Sequence, residues 1–445
     1  MENMETCFKS IPEWYLYDMF FQLCKEVFPD LAIHSLDVAK ISALIMKRIN
    51  NNTEDIQQTF IAGFFHDLGF AFMRETIPMD RITVTFDPEG YYVFNTLPNF
   101  DNMADKVHYA LISFKALNYT KVPRLSEEYL LAILHHHNPI KDNSKPKVSL
   151  ISNILFIADK ISLAIRAGQF SNINENVCYL KKLINKFNLK QIVLDAVNDL
   201  LSNLEDMAHI FSNQHPEKFF KLFALEQRRI SLDIATNFFE IIAALIDFRS
   251  LFTYRHSSSI AALARDLTFR ITESKYDALL MYTAGLLHDL GKIKTPLKIL
   301  HHPGKLPTCE MFIMKQHIVF TRLLLEKYSE LNEIVSISAA HHERLDGSGY
   351  PYGFTESQLP ILAQLLQVVD IFVALTEERP YRNKIPTTKA FEILDKMVEN
   401  RKINKMIVNI LKEMINEGYS FENVTFLSKI LTKDELNSLL SNKIK

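Results

Sequence analysis

Apolar residues recur at helical spacing along most of the chain. The spacing predicts helices within Ile33 to Ile49, Tyr129 to Leu134, Val148 to Ile165, Leu189 to Leu204, Phe219 to Phe252 and Ala390 to Met414. One stretch reads differently. Arg81-Ile-Thr-Val-Thr-Phe86 and Tyr91-Tyr-Val-Phe-Asn95, both β-branched or aromatic, flank Asp87-Pro-Glu-Gly90. Two such runs around an Asp-Pro-x-Gly turn predict a β-hairpin. The expected fold class is all-α, with two helical bundles in tandem and one small hairpin inserted in the first.

The tandem arrangement rests on an internal repeat. Ile33-His-Ser-Leu-Asp-Val-Ala39 matches Arg255-His-Ser-Ser-Ser-Ile-Ala261, and in both copies a second histidine follows 32 residues after the first. Those second sites read Ala62-Gly-Phe-Phe-His-Asp-Leu-Gly69 and Ala284-Gly-Leu-Leu-His-Asp-Leu-Gly291. A third histidine follows (His108; His317), then an adjacent pair (His135-His136; His341-His342). Each copy closes on an aspartate in an apolar helical run, Asp159 or Asp370. The first copy has 13 more residues between its second and third histidines, where the hairpin sits, and five fewer between the pair and the aspartate. A domain boundary near residue 220 follows, giving 1–220 and 221–445. The stretch Phe219 to Phe252 reads as one long helix or two. Its apolar stripe (Leu222, Leu225, Ile230, Ile234, Phe238, Ile241, Leu245) fits either a homodimer contact or packing within its own domain.

Composition narrows the function classes. The chain has 445 residues, room for two or three domains, and a formal charge of −2. No global basic field attracts nucleic acid or anionic membrane, and no basic recognition helix is evident. Cys7, Cys24, Cys178 and Cys309 form no CxxC pair, which argues against a disulfide framework or a thiolate zinc site. The N-terminal residues lack the pattern of a signal peptide, and no apolar run approaches the ~18 residues of a membrane span. A cytoplasmic protein, with no membrane and no nucleic acid polymer as partner, is the expectation. Glycines number 11, and six of them (Gly285, Gly291, Gly304, Gly347, Gly349, Gly353) fall in one short stretch of the second half. Loops needing unusual backbone angles concentrate there. Gly285 to Lys292 superficially resembles a P-loop, but the glycine spacing is one residue too long and Ile293 stands where a hydroxyl should hold Mg²⁺.

His256, His288, Asp289, His317, His341, His342 and Asp370 are all imidazole or carboxylate, good ligands for Fe, Mn, Zn or Ni. A lone histidine is more often a core or surface residue, but seven ligand-type residues at repeated spacing are not explained that way. Neighbours on a helix point about 100° apart, so His288 and Asp289 suit one ion only poorly. At a helix end the aspartate can bridge two ions while the histidine binds one. Five histidines and two carboxylates exceed the needs of one ion and suit two.

His288-Asp-Leu-Gly-Lys292, His341-His-Glu-Arg-Leu-Asp-Gly-Ser-Gly-Tyr-Pro351, Asp370 and Arg379-Pro-Tyr-Arg382 resemble the HD-GYP family, phosphodiesterases of cyclic dinucleotides within the HD superfamily. The resemblance covers about residues 250 to 400. It implies that His256, His288, Asp289 and Asp370 hold one metal, with Asp289 bridging to a second held by His317, His341 and His342. Two divalent ions, Fe or Mn before Zn or Ni, are the implied cofactors. Lys292 is implied to contact the phosphate and steady transition-state charge, Tyr350 to approach the substrate, and Arg379 and Arg382 to grip its phosphates. Arg344 and Asp346 are expected to brace the loop by a salt bridge. Some family members place a glutamate four residues before the first histidine, adding a third metal; here Phe252 stands there, so two ions and a linear dinucleotide product are expected. Val373 replaces a second aspartate that the family often carries.

The first half resembles a second HD-type domain without the GYP loop. His34, His66, Asp67, His108, His135, His136 and Asp159 could complete a second metal site, with His137 an extra ligand or a neighbour. Phe70 replaces the motif lysine. A regulatory or dimerising relic, a loaded but inactive site and a second active site are the three readings. For the whole chain, hydrolysis of cyclic di-GMP or 3′,3′-cyclic GMP-AMP leads. A non-catalytic cyclic-dinucleotide receptor or scaffold, or another HD nucleotide phosphohydrolase, is the alternative.

Overall fold

The computed structural model describes residues 9–72, 83–86, 92–95, 103–121, 125–139, 144–167, 173–211, 216–247, 255–302, 304–377, 384–420, 426–432 and 434–435, with the backbone alone at 83–86, 92–95, 103–108, 167, 173–174 and 211. The chain divides into two compact units, Pro12–Arg229 and Ile230–Lys445, the latter including Met1–Ile11. The fold class is the expected one: helices dominate both units. The predicted hairpin forms, with Thr83–Phe86 antiparallel to Tyr92–Asn95 and Val84 opposite Phe94.

The repeat in sequence is a repeat in structure. In the first unit, helices Pro29–Ile49, Thr53–Phe65, Met103–Thr120, Glu127–Leu134 and Pro146–Ala167 follow one another, with a 3₁₀ turn at Leu68–Phe72. In the second unit, His256–Thr272, Lys275–Leu287, His317–Leu325, Asn332–Ser338 and Ile361–Thr376 occur in the same order, with a 3₁₀ turn at Leu290–Lys294. The second helix of each set starts at a capping side chain. Asn52 accepts from the Glu54 and Asp55 amides, and Ser274 accepts from the Asp277 amide. Each of these helices is 13 residues long and stops directly before the His-Asp pair.

Two expectations are corrected and one is narrowed. Of the readings one long helix or two for Phe219 to Phe252, the described residues show two. Helix Pro216–Leu222 ends near Ala224, whose φ is +53°, and Arg229–Ser231 is a short strand paired with Ser10–Pro12 before helix Leu232–Asp247 begins. Within its stripe Leu225, Ile230, Phe238, Ile241 and Leu245 are buried, whereas Leu222 and Ile234 are exposed. Ala390 to Met414 also divides, into Thr387–Glu399 and Lys405–Asn416. Arg401 has φ +55° and Asn404 caps the second helix. Finally, among the described residues one helix is long and apolar enough to cross a membrane by length and composition: Pro146–Arg166. Its most apolar window is 72% buried and the helix carries Asp159 inward, the marks of a core helix in a helical bundle.

Candidate metal centre

In the second unit, five elements deliver their side chains to one point. His256 opens its helix, His288 and Asp289 sit where helix Lys275–Leu287 gives way to the 3₁₀ turn, and His317 opens another helix. His341 and His342 follow helix Asn332–Ser338, and Asp370 lies in Ile361–Thr376. His256, His288 and Asp370 form one group whose ligand atoms lie within 4.8 Å of one another, and His317, His341 and His342 form another. Asp289 faces both. Its Oδ2 lies 3.1 Å from His288 Nε2 and 3.8 Å from His256 Nε2, and its Oδ1 lies 3.3 Å from His317 Nε2.

The imidazoles are oriented for ligation. His288, His317 and His341 each direct Nδ1 to a carbonyl three residues earlier, on Gly285 (2.8 Å), Met314 (2.6 Å) and Ser338 (2.6 Å). Donation from Nδ1 leaves the Nε2 lone pair pointing inward. Those three Nε2 atoms and Asp289 Oδ1 are buried with no hydrogen-bond partner. Unpaired buried donors and acceptors are costly, so a cage of them fits a cation that satisfies them all.

The electrostatics fit the same purpose. Burial lowers the pKa of His317 to about 4, against the pull of Asp289, and lowers that of His341 to about 3, with the His288 charge adding to it. Both are neutral, as ligands must be. Burial favours protonation of Asp289 and Asp370, yet neighbouring imidazoles, and Lys292 beside Asp289, hold both carboxyls well below the usual range. Lys292 Nζ donates to Asp289 Oδ2.

Two polar side chains that the sequence did not flag support the site. Glu377 accepts from His256 Nδ1 at 2.9 Å. Val373 is buried and apolar. Glu343 is fully buried and its two oxygens accept the Tyr352 and Phe354 amides at 2.8 and 3.0 Å. The glycine-rich loop therefore hangs from this carboxylate. A Cβ on Gly349 would lie 2.3 Å from Glu343 Cα, so only glycine allows that approach. The expected Arg344–Asp346 salt bridge is replaced by separate bonds: Arg344 donates to the Glu343 carbonyl, and Asp346 accepts from Ser348. Tyr350 lies with its ring 4.9 Å from that of His342 and under the exposed Lys315 ammonium at 4.6 Å. Arg379 and Arg382 lie outside the described residues.

The first unit builds a related cluster. His34 Nε2 is 3.3 Å from Asp159 Oδ1 and 3.7 Å from Asp67 Oδ2; His66 Nε2 is 3.3 Å from Asp67 Oδ2. His136 Nε2 is 3.3 Å from Asp67 Oδ1. His66 and His136 direct Nδ1 to the Gly63 and Ile133 carbonyls, as their counterparts do. The histidine pair is shifted by one from the sequence-based register. His136 and His137 join the cluster with ring centroids 3.8 Å apart, like His341 and His342 at 4.1 Å, and His135 belongs to no such group.

The third position shifts as well. A Cβ on Gly291 would lie 1.9 Å from the His317 carbonyl oxygen, and one on Gly69 would lie 2.0 Å from that of Tyr109. The Gly291 amide donates to Thr321, four residues after His317, and the Gly69 amide to Ser113, four residues after Tyr109. Tyr109, not His108, thus stands where His317 stands. The side chain of His108 lies outside the described residues. The Tyr109 hydroxyl is hydrogen-bonded to His137 Nε2.

Comparison with known proteins agrees with the two clusters. Residues 31–164 and residues 240–407 each match a family model described as HD domain. The chain carries two HD domains. Among curated relatives, the 3′3′-cGAMP-specific phosphodiesterase 1 of Vibrio cholerae is 28% identical over 65% of this chain and 70% of its own length. The 3′3′-cGAMP-specific phosphodiesterase 3 of the same organism is 34% identical over 34% of this chain and 33% of its own length. A cyclic di-GMP phosphodiesterase of Thermotoga maritima is 31% identical over 49% and 60%. The chain thus spans only part of these relatives, a third of one of them. A crystal structure described as cyclic GMP-AMP specific phosphodiesterase of V. cholerae (V-cGAP3) superposes with a TM-score of 0.55, at 17% identity, over 93% of this chain and 100% of that one. That likeness shows the fold of the tandem HD domains. The resemblance of the second HD domain to the HD-GYP phosphodiesterases is borne out by these relatives.

Proposed function

We propose that the second HD domain hydrolyses a cyclic dinucleotide to its linear form at a pair of divalent metal ions, Fe or Mn. The observation that carries the reading is the split of Asp289, with one carboxylate oxygen toward His256 and His288 and the other toward His317, and unpaired Nε2 atoms on both sides. Two ions held there would lower the pKa of a bound water and clamp a phosphodiester. His256, His288, Asp289 and Asp370 would hold one, and Asp289, His317, His341 and His342 the other. Lys292, anchored on Asp289, sets a fixed cation beside the reacting phosphate. Tyr350, ordered by the loop that Glu343 suspends, borders the substrate. Arg379 and Arg382 follow soon after Asp370 and suit the dinucleotide phosphates as guanidinium forks. The relatives named for 3′3′-cGAMP and cyclic di-GMP support this substrate class. The first HD domain, without the lysine or the loop, is read as regulatory.

The test is incubation of Mn²⁺- or Fe²⁺-loaded chain with 3′,3′-cyclic GMP-AMP and with cyclic di-GMP, followed by chromatography of the products. A linear dinucleotide from either is expected. Binding without product from both would sink the hydrolytic reading in favour of a receptor.

A further inference from the structure

We infer that Asp247 is the positioning residue of His256: its carboxylate caps the helix that begins at this histidine and fixes where the imidazole stands. The inference deepens the proposed metal centre and rests on it. Helix His256–Thr272 starts at the histidine itself, so no earlier turn holds His256 in place. The Ser257 amide is the second of the four that an α-helix leaves without an intrahelical partner. The flanking Arg255 cannot take it, because a guanidinium carries donors only. Asp247 does. It is buried at the end of helix Leu232–Asp247, and both its oxygens accept from Ser257, Oδ2 from the amide at 3.0 Å and Oδ1 from the hydroxyl at 2.8 Å. A carboxylate there also offsets the roughly half positive charge of the helix N-terminus, which otherwise lies beside the cation that His256 would help to hold.

Asp247 is itself held in register. Thr236, Glu240 and Asp247 are spaced by four and then seven residues, which puts them on one face of their helix. All three are buried. Thr236 Oγ1 lies 2.8 Å from Thr283 Oγ1, and Glu240 Oε1 accepts from the Tyr282 hydroxyl at 2.6 Å and from Lys429 Nζ at 2.8 Å. Thr283 and Tyr282 belong to Lys275–Leu287, the helix that ends at His288 and Asp289. Buried polar bonds fix rotation and sliding more sharply than apolar packing does. The carboxylate that caps one ligand helix is thus registered against the helix that delivers two more ligands. The first domain has another solution. His34 is the sixth residue of Pro29–Ile49, so Ser35 lies beyond the four partnerless amides and the helix's own backbone bonds hold the histidine. The second domain starts its helix at the histidine and replaces the missing turn with a carboxylate from another element.

The test uses the 445-residue chain with Asp247→Ala, Asp247→Asn and Ser257→Ala, each checked for folding by circular dichroism and Tm. Asparagine keeps an oxygen for the Ser257 amide and loses the charge. In metal-free protein, hydrogen exchange over residues 256–262 should speed up about tenfold in Asp247→Ala, the scale of a lost cap, and by no more than about threefold in Asp247→Asn. Mn²⁺ alone is then titrated in, without nucleotide, and the spin-coupled electron paramagnetic resonance signal of the ion pair is followed. Asp247→Ala should need about 10- to 100-fold more Mn²⁺ to reach half of that signal, the scale of loss when the support of a ligating histidine is removed. Ser257→Ala should need about fivefold more, and Asp247→Asn, which restores the cap, should stay within about threefold of wild type. A merely structural role would lower Tm and leave the Mn²⁺ requirement of the folded protein unchanged, and that result would overturn the inference. Unchanged exchange in a folded Asp247→Ala chain would do the same. If Asp247→Ala does not fold, Ser257→Ala decides: a Mn²⁺ requirement equal to wild type overturns the inference. A wild-type chain with no coupled signal would overturn the metal pair itself, whereas a coupled wild type beside an unaltered Asp247→Ala overturns this inference alone.

Discussion

The two HD domains hold nearly the same histidine geometry and differ in what stands around it. His66 and His136 have ring centroids 4.9 Å apart at 85°, and His288 and His341 4.8 Å apart at 81°. His34 and His66 are 5.2 Å apart, and His256 and His288 5.6 Å. What separates the domains is a lysine beside the aspartate of the His-Asp pair, a third imidazole, and a loop hung from a buried glutamate. Among the described residues, all three exist in the second domain only. A ligand scaffold is therefore not sufficient for the proposed chemistry. Positioned charge and a substrate-bordering loop are added to it, and each addition can be removed singly.

The largest effect tests whether the domains divide their work as proposed. Asp289→Ala removes the bridge and leaves two sets of imidazoles without their common acid. Hydrolysis of the cyclic dinucleotide should fall more than about a thousandfold, over ~4 kcal/mol of barrier. Asp67→Ala, the same change in the first domain, should leave the rate within about threefold. Equal losses from both, in steady-state assays on folded protein, would break the division.

The next effect isolates charge. Lys292→Met keeps the length of the side chain and removes its ammonium, so kcat should drop by about 10² to 10³, the cost of losing one preorganised electrostatic contact, while KM changes little. A fall seen in KM alone would mean that Lys292 only helps to bind substrate.

Much of this was legible in the sequence, because ligand chemistry and helical period are both written residue by residue. The His-Asp pairs, the closing aspartates and the hairpin lie where the pattern put them. The first domain's register was not legible. The insertion before Met103 hides the distance to the third ligand, and His135-His136-His137 offers two adjacent pairs. A hydroxyl four residues after the third position was the available signal: Ser113 follows Tyr109 as Thr321 follows His317, and each receives a glycine amide. Glu377 was hidden for another reason. It lies seven residues beyond Asp370, beyond the end of its helix, and only folding brings it to His256. Periodicity also reports apolar spacing without backbone angles, which is why it left one helix or two open across Ala224.

The smallest effect concerns how each domain holds its first histidine. His256 Nδ1 meets the Glu377 carboxylate at 2.9 Å, and His34 Nδ1 meets the Ser162 hydroxyl at 2.9 Å. The distances are equal but the partners differ in charge. Burial opposes a charge on His256, yet Glu377 and Asp370 raise its pKa to about 10, so without an ion His256 holds a proton that a metal must displace. A hydrogen bond to a charged group contributes roughly 1.5–3 kcal/mol and one between neutral groups about 0.5–1.5. Glu377→Ala should therefore weaken Mn²⁺ binding in the second domain by about 10- to 100-fold, in line with losses on removing the partner of a ligating histidine. Ser162→Ala, in the first domain, should leave Mn²⁺ binding in the second within about twofold. Mn²⁺ titrations of the two variants read the difference. A larger loss from Ser162→Ala than from Glu377→Ala would mean that charge on the supporting residue does not set the strength of the ligand it holds.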